Sequence, residues 1–145
     1  MSFDMPKQDL TALQKATASF NALYPRVIDE QFMSQQDEII RLGLEAGLIQ
    51  NFEFTYELCW KEMKRWLENN ISPNIADGVA RRELFRLAAE NLLIPDVEEW
   101  MIYHAARNDS SHRYGMEIAA DVLTVLGDFG RAAQQLLAEL QKRNE

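Results

Sequence analysis

The segment AADVLTVLGDFGRAAQQLLAEL, residues 119–140, decides the fold class, because its apolar residues return every three or four positions. These positions are Ala119, Val122, Leu126, Phe129, Ala133, Leu136 and Leu140. Such spacing draws one apolar stripe along a helix and is the seam pattern of left-handed antiparallel bundles. The segment therefore predicts a last helix, from about Met116 to Arg143, that packs against other helices.

Helical periodicity continues outward from this segment through most of the 145 residues. No run of alternating β-branched residues bounded by turn residues interrupts it. The other expected helices run over about 8–24, 34–70, 79–91 and 97–108. The sequence therefore predicts an all-α, up-and-down antiparallel bundle of about five helices. It should form a single domain over 1–145, with its core at roughly 9–140.

Local signals set the expected helix ends. Pro25 disfavours helical backbone at the residue before it, so the first helix should stop there. Ser34 offers a capping hydroxyl for the long second helix. Asp109 and Ser110 compete for backbone hydrogen bonds, which should end the fourth helix and leave His112 in a short turn.

The long second helix carries more apolar surface than one buried side requires. One stripe comprises Phe52, Tyr56, Cys59, Met63 and Leu67, and further apolar residues off that stripe are Phe54, Leu58 and Trp66. The excess indicates a subunit interface as well as a core. We therefore expect a homodimer with two-fold symmetry.

Bulk composition narrows the classes of function. The net charge of -8 argues against broad electrostatic affinity for nucleic acid and suits a partner with a basic surface. The single cysteine, Cys59, excludes an intrachain disulfide and a cysteine-rich metal site, which fits a reducing cytoplasm. No secretory leader and no apolar stretch of about 18 residues is present, so we expect a cytoplasmic protein away from membranes.

The segment RNDSSHRY, residues 107–114, gathers the residues for a phosphate-handling site. Arg107 offers a planar fork of donors, and His112 exchanges a proton near neutral pH. On the residues alone, pairing of Arg107 with a carboxylate such as Glu57 is the favoured interpretation, and His112 could be a turn residue. Asn108 could orient a ligand or simply end a helix.

The same segment resembles the HEPN superfamily, whose signature is an arginine, a polar residue and a histidine four to six residues on. Arg107, Asn108 and His112 fit the four-residue spacing, and Tyr114 completes the variant similar to HepT toxins and nucleotidyltransferase substrate-binding proteins. A second stretch, GLIQNFEFTYELCWK at 47–61, is similar to the family's long-helix pattern. A third, RREL at 81–84, resembles its third helix.

The resemblance implies a HepT-like partner of a small, separately encoded MntA-like nucleotidyltransferase, in a heterotetramer or larger assembly of toxin–antitoxin type. It implies sites at the dimer interface in which Arg107, His112 and Asn108 act as a metal-independent ribonuclease. Tyr114 would accept a nucleotide from the partner, and Glu57 would support Arg107. From helical spacing, Glu57 and Lys61 should form a weak surface pair.

Two alternatives to the nuclease remain open at this point. The chain could be a non-catalytic binding subunit for RNA or a nucleotide, or a dimerisation module without a ligand. A metal site from His104, His112 and Asp109 is rejected, because two histidines eight residues apart lack a third strong ligand. No motif for a cofactor or for nucleotidyl transfer by this chain is visible, so we expect neither.

Overall fold

The computed structural model describes residues 7–110 and 117–145, and every regular element in these ranges is a helix. The helices are α1 Thr11–Ile28, α2 Glu30–Ser34, α3 Glu38–Asn70, α4 Arg81–Glu90, α5 Val97–Ser110 and α6 Ala120–Arg143. The predicted all-α bundle is confirmed. The described residues hold six helices rather than about five, because the five-residue α2 stands between the first long helix and the second.

Helix α3 is the spine of the bundle, since it packs against α1, α4, α5 and α6. Its 33 residues make a rod about 50 Å long. Aromatic rings fill the core where these helices meet. Fully buried rings are those of Phe20, Phe52, Tyr56, Phe85, Trp100, Tyr103 and Phe129. Phe129 on α6 lies at the centre, with edge-on contacts to rings from α1, α3 and α5.

The expected end of the first helix at Pro25 is wrong. Helix α1 continues through Pro25 to Ile28. A proline removes one backbone donor and crowds the preceding turn, which is costly in a helix interior. Here it lies in the last turn, and the residues beyond it still bury Val27 at 6% exposure. The hydroxyl of Tyr24 also anchors this turn by donating to the carbonyl of Leu123 on α6, at 2.9 Å.

The expected start of the long helix at Ser34 is also wrong. Ser34 closes the short α2, and its hydroxyl donates to the carbonyl of Gln31. The cap of α3 is Asp37, whose carboxylate accepts from the backbone N–H of Ile40 at 2.9 Å. A carboxylate both caps free N–H groups and complements the helix dipole.

Helix α5 extends beyond its predicted end at Asn108, through Asp109 to Ser110. Ser110 is buried, and the single proton of its hydroxyl has two acceptors within reach, the carbonyl of Arg107 at 2.8 Å and the carboxylate of Glu53 at 2.5 Å. These bonds satisfy the polar side chain inside the last turn. The helix therefore accommodates residues that disfavour helix interiors elsewhere.

Helices α1 and α6 approach closely at two glycines of α6. A Cβ built on Gly130 would lie 2.6 Å from Oδ1 of Asn21 and 2.9 Å from Cε1 of Phe20, both on α1. A Cβ on Gly127 would collide with the Tyr24 ring. By contrast, a Cβ on Gly43 in α3 would meet nothing within 4 Å. Glycine is therefore required for packing in α6 and not at Gly43.

Gln8 joins the two ends of the described chain. Its backbone N–H donates to Oδ1 of Asn144 at 3.1 Å, and Nδ2 of Asn144 donates back to its carbonyl at 2.9 Å. The side-chain amide of Gln8 donates to the carbonyl and carboxylate of Glu62 on α3, at 2.9 and 2.7 Å. Glu62 is only 5% exposed, and its buried charge is compensated by the carboxylate bond from Gln8 together with an ion pair to Nη1 of Arg65 at 3.0 Å.

Several large apolar side chains on the outer faces of α3 and α5 meet solvent. Phe54 is 60% exposed, Ile39 81% and Ile102 54%. The homodimer expected from the wide apolar surface of α3 stays a prediction, and these side chains are where it would be tested. Within the described ranges, no helix combines the length and the apolar character needed to cross a membrane.

Candidate functional site

Arg107, in the last turn of α5, is held by two carboxylates one turn apart on α3. Its Nη1 donates to Oε2 of Glu53 at 3.0 Å, and its Nε lies 3.5 Å from Oε1 of Glu57. All three side chains are about one-third exposed, so the pairs add at most about 1 kcal/mol to stability. Their main effect is to fix the guanidinium in one position. Among the described residues, no hydrogen bond uses its Nη2.

A second polar chain runs beside this ion pair, again between α3 and α5. The hydroxyl of Tyr56 lies 2.6 Å from Nδ1 of His104, and Nδ2 of the Asn108 amide lies 3.3 Å from the other ring nitrogen, Nε2. Tyr56 is buried at 1% exposure, whereas Asn108 faces solvent. The chain therefore links the bundle core to the surface.

Arg81, at the start of α4, closes the site on its other side. Its guanidinium lies flat over the Trp60 ring, with Cζ 3.6 Å from the ring centre. Burial lowers the pKa of Arg81, while the nearby Tyr56 and Glu57 favour its charge. Its Nη1 is buried and has no hydrogen-bond partner among the described residues. The Trp60 indole N–H in turn donates to Glu57 at 2.9 Å, which ties Arg81 to the carboxylates that hold Arg107.

The predicted Glu57–Lys61 pair is not formed between these two described residues. The Glu57 carboxylate is engaged by Trp60 and Arg107 instead. The Lys61 ammonium lies over the Trp60 ring, 5.6 Å from its centre. Trp60 thus contacts both charged groups, Glu57 through its indole N–H and Lys61 through its ring. A supporting role for Lys61 in the site stays a prediction.

The cavity beside the end of α5 is small and apolar. It has a volume of about 130 Å³ and lies between α3, α5 and α6, next to Ser110. Ligand pockets for small molecules typically measure 300 Å³ or more. This cavity is therefore too small to enclose a nucleotide.

The other predicted site residues, His112 and Tyr114, lie outside the described residues, so their roles stay predictions. Ser110, the last described residue before them, is two positions from His112 in the chain. Across residues 7–110 and 117–145, no group of three or more histidine, cysteine, aspartate or glutamate side chains could hold a metal ion.

Comparison with known proteins assigns the family. A family model described as "Nucleotidyltransferase substrate binding protein like" matches residues 8–142, nearly the whole chain. The chain belongs to this family. The resemblance seen at residues 47–61 and 107–114 is therefore confirmed at the level of the family.

Two matches to this nucleotidyltransferase substrate-binding-like protein come from Haemophilus influenzae, one among curated proteins and one among solved structures. One, described as a probable ribonuclease HepT, is 34% identical over 140 residues, which are 96% of each chain. The other is a solved structure described as revealing the fold of a substrate-binding domain of a nucleotidyltransferase. It is 33% identical, has a TM-score of 0.85, and the match covers 92% of this chain and 99% of that one.

Only some of the site residues predicted from the sequence of this family member lie together among the described residues. Arg107 and its candidate partner Glu57 are adjacent, and Asn108 lies beside them. Glu53 was missed as the closer carboxylate, although its place one turn before Glu57 on the same helix face was a signal. The pairing of Tyr56 with His104 was also missed, because no spacing within one helix reveals a contact between two.

Proposed function

We propose that this chain is the HepT-like subunit of a two-component system of toxin–antitoxin type. It would act with a separately encoded small nucleotidyltransferase, and its Arg107 and His112 would cleave RNA without a metal ion. The observation that supports this best is the fixed, partly exposed guanidinium of Arg107. A guanidinium held on one side offers its remaining N–H groups to a phosphate with little loss of side-chain freedom. The relative described as a probable ribonuclease HepT supports the same activity.

The proposed reaction is transesterification at a ribose. The 2′-oxygen attacks the adjacent phosphorus, and the bond from phosphorus to the 5′-oxygen breaks. His112 moves the proton of the attacking 2′-hydroxyl or of the leaving 5′-oxygen, and Arg107 stabilises charge on the phosphorane-like transition state. Asn108 positions the reacting groups. The products are a 2′,3′-cyclic phosphate and a free 5′-hydroxyl.

The nuclease is tested on purified protein freed of any partner, with a panel of RNAs and a chelator present. Cleavage should survive the chelator, and His112→Ala should lower it by about 100-fold or more. Arg107→Lys, which keeps the charge but loses the planar fork, should also impair it. A matched control is Arg131→Lys, because Arg131 is an exposed α6 arginine paired with Asp128. Intact RNAs, or a His112→Ala variant as fast as wild type, would rule out catalysis.

A non-catalytic binding subunit is the second candidate, and the charges around Arg107 favour it. Two carboxylates, Glu53 and Glu57, face a single guanidinium, and the chain carries a net charge of -8. Under this alternative the subunit binds a nucleotide or RNA and leaves it intact. Binding of an RNA that stays uncleaved, weakened by Arg107→Lys, would favour it over the nuclease.

The assembly has two parts that are tested separately. Light scattering should give twice the 16.8 kDa chain mass at micromolar concentration, and a mass of one chain would remove the homodimer. Co-expression with a neighbouring nucleotidyltransferase gene, followed by intact mass measurement, should show added adenylate. Tyr114→Phe should abolish the addition, whereas Tyr103→Phe, which removes a hydroxyl bonded to Glu99, should not. Equal modification of wild type and Tyr114→Phe would exclude Tyr114 as the acceptor.

A further inference from the structure

His104 stands between a buried tyrosine and the exposed asparagine that follows Arg107. It precedes Arg107 by three residues and Asn108 by four, so all three share one face of α5. Its Nδ1 lies 2.6 Å from the Tyr56 hydroxyl, and its Nε2 lies 3.3 Å from the Asn108 amide. The imidazole is thus contacted through both ring nitrogens.

The surroundings of Tyr56 determine the direction of these bonds. Burial raises the pKa of Tyr56 far above its usual value, so the hydroxyl keeps its proton. Arg81, whose charge acts on the Tyr56 oxygen, has only donors and cannot accept that proton. The Tyr56 hydroxyl has no other hydrogen-bond acceptor among the described residues, so it is placed to donate to Nδ1 of His104. A neutral imidazole that accepts at Nδ1 carries its hydrogen on Nε2.

The hydrogen on Nε2 in turn fixes the Asn108 side chain. The atom placed 3.3 Å from Nε2 is Nδ2 of Asn108, and two N–H groups cannot bond to each other, so the amide must be turned over to bring its carbonyl oxygen to Nε2–H. Its NH2 group then points away from His104. In that orientation it adds a donor at the surface on which Arg107 is fixed.

We propose that Tyr56 and His104 form a positioning pair that holds the Asn108 amide with its NH2 group toward a bound phosphate or ribose oxygen. The proposal rests on the proposed function for the identity of the ligand, but the pairing itself does not depend on catalysis. Neither Tyr56 nor His104 touches substrate in it. His104 acts through Asn108, and Tyr56 acts through His104.

Nitrogen NMR tests the pairing directly, since the chain has two histidines. In protein labelled with ¹⁵N-histidine, two-bond correlations show which ring nitrogen bears hydrogen, and loss of signals in His104→Gln assigns them. His104 of the wild type should be protonated on Nε2 alone at neutral pH. Tyr56→Phe keeps the ring and removes the donor, so both tautomers should appear. Hydrogen on Nδ1 in the wild type, or an unchanged spectrum in Tyr56→Phe, would overturn the proposal.

Cleavage rates test whether the pair matters to the site. Tyr56→Phe and His104→Gln should each lower the cleavage rate roughly tenfold, about the value of one hydrogen bond, and the double variant should be no slower than either single one. Tyr103→Phe is the matched control, because this buried α5 tyrosine bonds Glu99 instead and should leave the rate unchanged. Wild-type cleavage by Tyr56→Phe would overturn the positioning role. If the wild type cleaves no RNA, the nuclease fails while the NMR result still decides the pairing.

Discussion

Replacing Gly130 by alanine should destabilise the protein, although alanine is the better helix former. The change places a Cβ 2.9 Å from Cε1 and 3.3 Å from Cδ1 of Phe20. Phe20 is 1% exposed and packs edge-on against Phe129, with 5.5 Å between ring centres, so its ring has little room to move. Asn21, the other neighbour, has the smaller side chain and can rotate at the cost of its long hydrogen bond to the Gly130 carbonyl, at 3.4 Å. Phe20 therefore determines the penalty.

Two opposing effects determine how much Gly130→Ala changes the free energy of unfolding. Overpacking a well-packed core costs about 1–3 kcal/mol, and replacing a helical glycine by alanine returns about 1 kcal/mol. Gly130→Ala should thus lower the free energy of unfolding by up to about 2 kcal/mol. In Gly43→Ala only the helix preference of alanine acts, since the new Cβ meets nothing within 4 Å. This variant should raise the free energy of unfolding by up to about 1 kcal/mol. The difference between the two variants isolates the steric term.

Urea unfolding followed by far-ultraviolet circular dichroism measures both variants, with protein concentration held fixed in case subunits associate. Thermal midpoints should move by roughly 2–4 °C per kcal/mol in a chain of about this size. Gly130→Ala as stable as Gly43→Ala would refute the close approach of α1 and α6. In a Phe20→Leu background the penalty at Gly130 should shrink, because the crowded ring atoms are gone.

Three further changes test other contacts. Gly127→Ala should be destabilising, and Tyr24→Phe should relieve part of that penalty in a double-mutant cycle, because it removes the hydroxyl that the new Cβ meets. Burial lowers the pKa of His104, so its contribution to stability is present above its unfolded pKa of about 6.5 and is lost as the pH falls through the folded pKa. Urea titrations at about pH 7 and 5 should therefore show a smaller loss of stability for His104→Gln than for wild type. Gln8→Ala should cost about 1–3 kcal/mol in urea unfolding, because the buried Glu62 loses two donated bonds, and an unchanged midpoint would disprove that contact.

The fold was largely predictable because apolar spacing is a property of each helix by itself. Helix α6 and the start of α5 at Val97 agree with the expected bounds to within a few residues. The misplaced ends of α1 and α5 share one cause, which is tertiary contact that outweighs a local signal, whereas the start of α3 follows a different local cap, Asp37. Tyr24 and Val27 hold α1 in place beyond Pro25. Ser110 stays helical because the Glu53 carboxylate accepts a hydrogen bond from its hydroxyl.

The site was less predictable, because its geometry depends on how α3 and α5 are rotated against each other. The sequence places Arg107 near the inward face of α5, and the resemblance offers Glu57 as its partner. Neither the helix face of Arg107 nor the resemblance shows which turn of α3 lies opposite Arg107, so Glu53 was not predicted as its partner. The contact of Tyr56 with His104 depends on the same rotation and could be found only in three dimensions.

The bonds between Gln8 and Asn144 make the polypeptide nearly a closed ring. New chain ends placed in a connection between two helices should therefore have little effect on the stability of the bundle. The turn between α3 and α4 is exposed around Pro73, the kind of site at which new termini are tolerated. A circularly permuted chain, joined by a short linker from 145 to 7 and opened at Pro73, would keep all six described helices and their contacts. Both new ends would then lie in the connection between α3 and α4, where other domains could be attached.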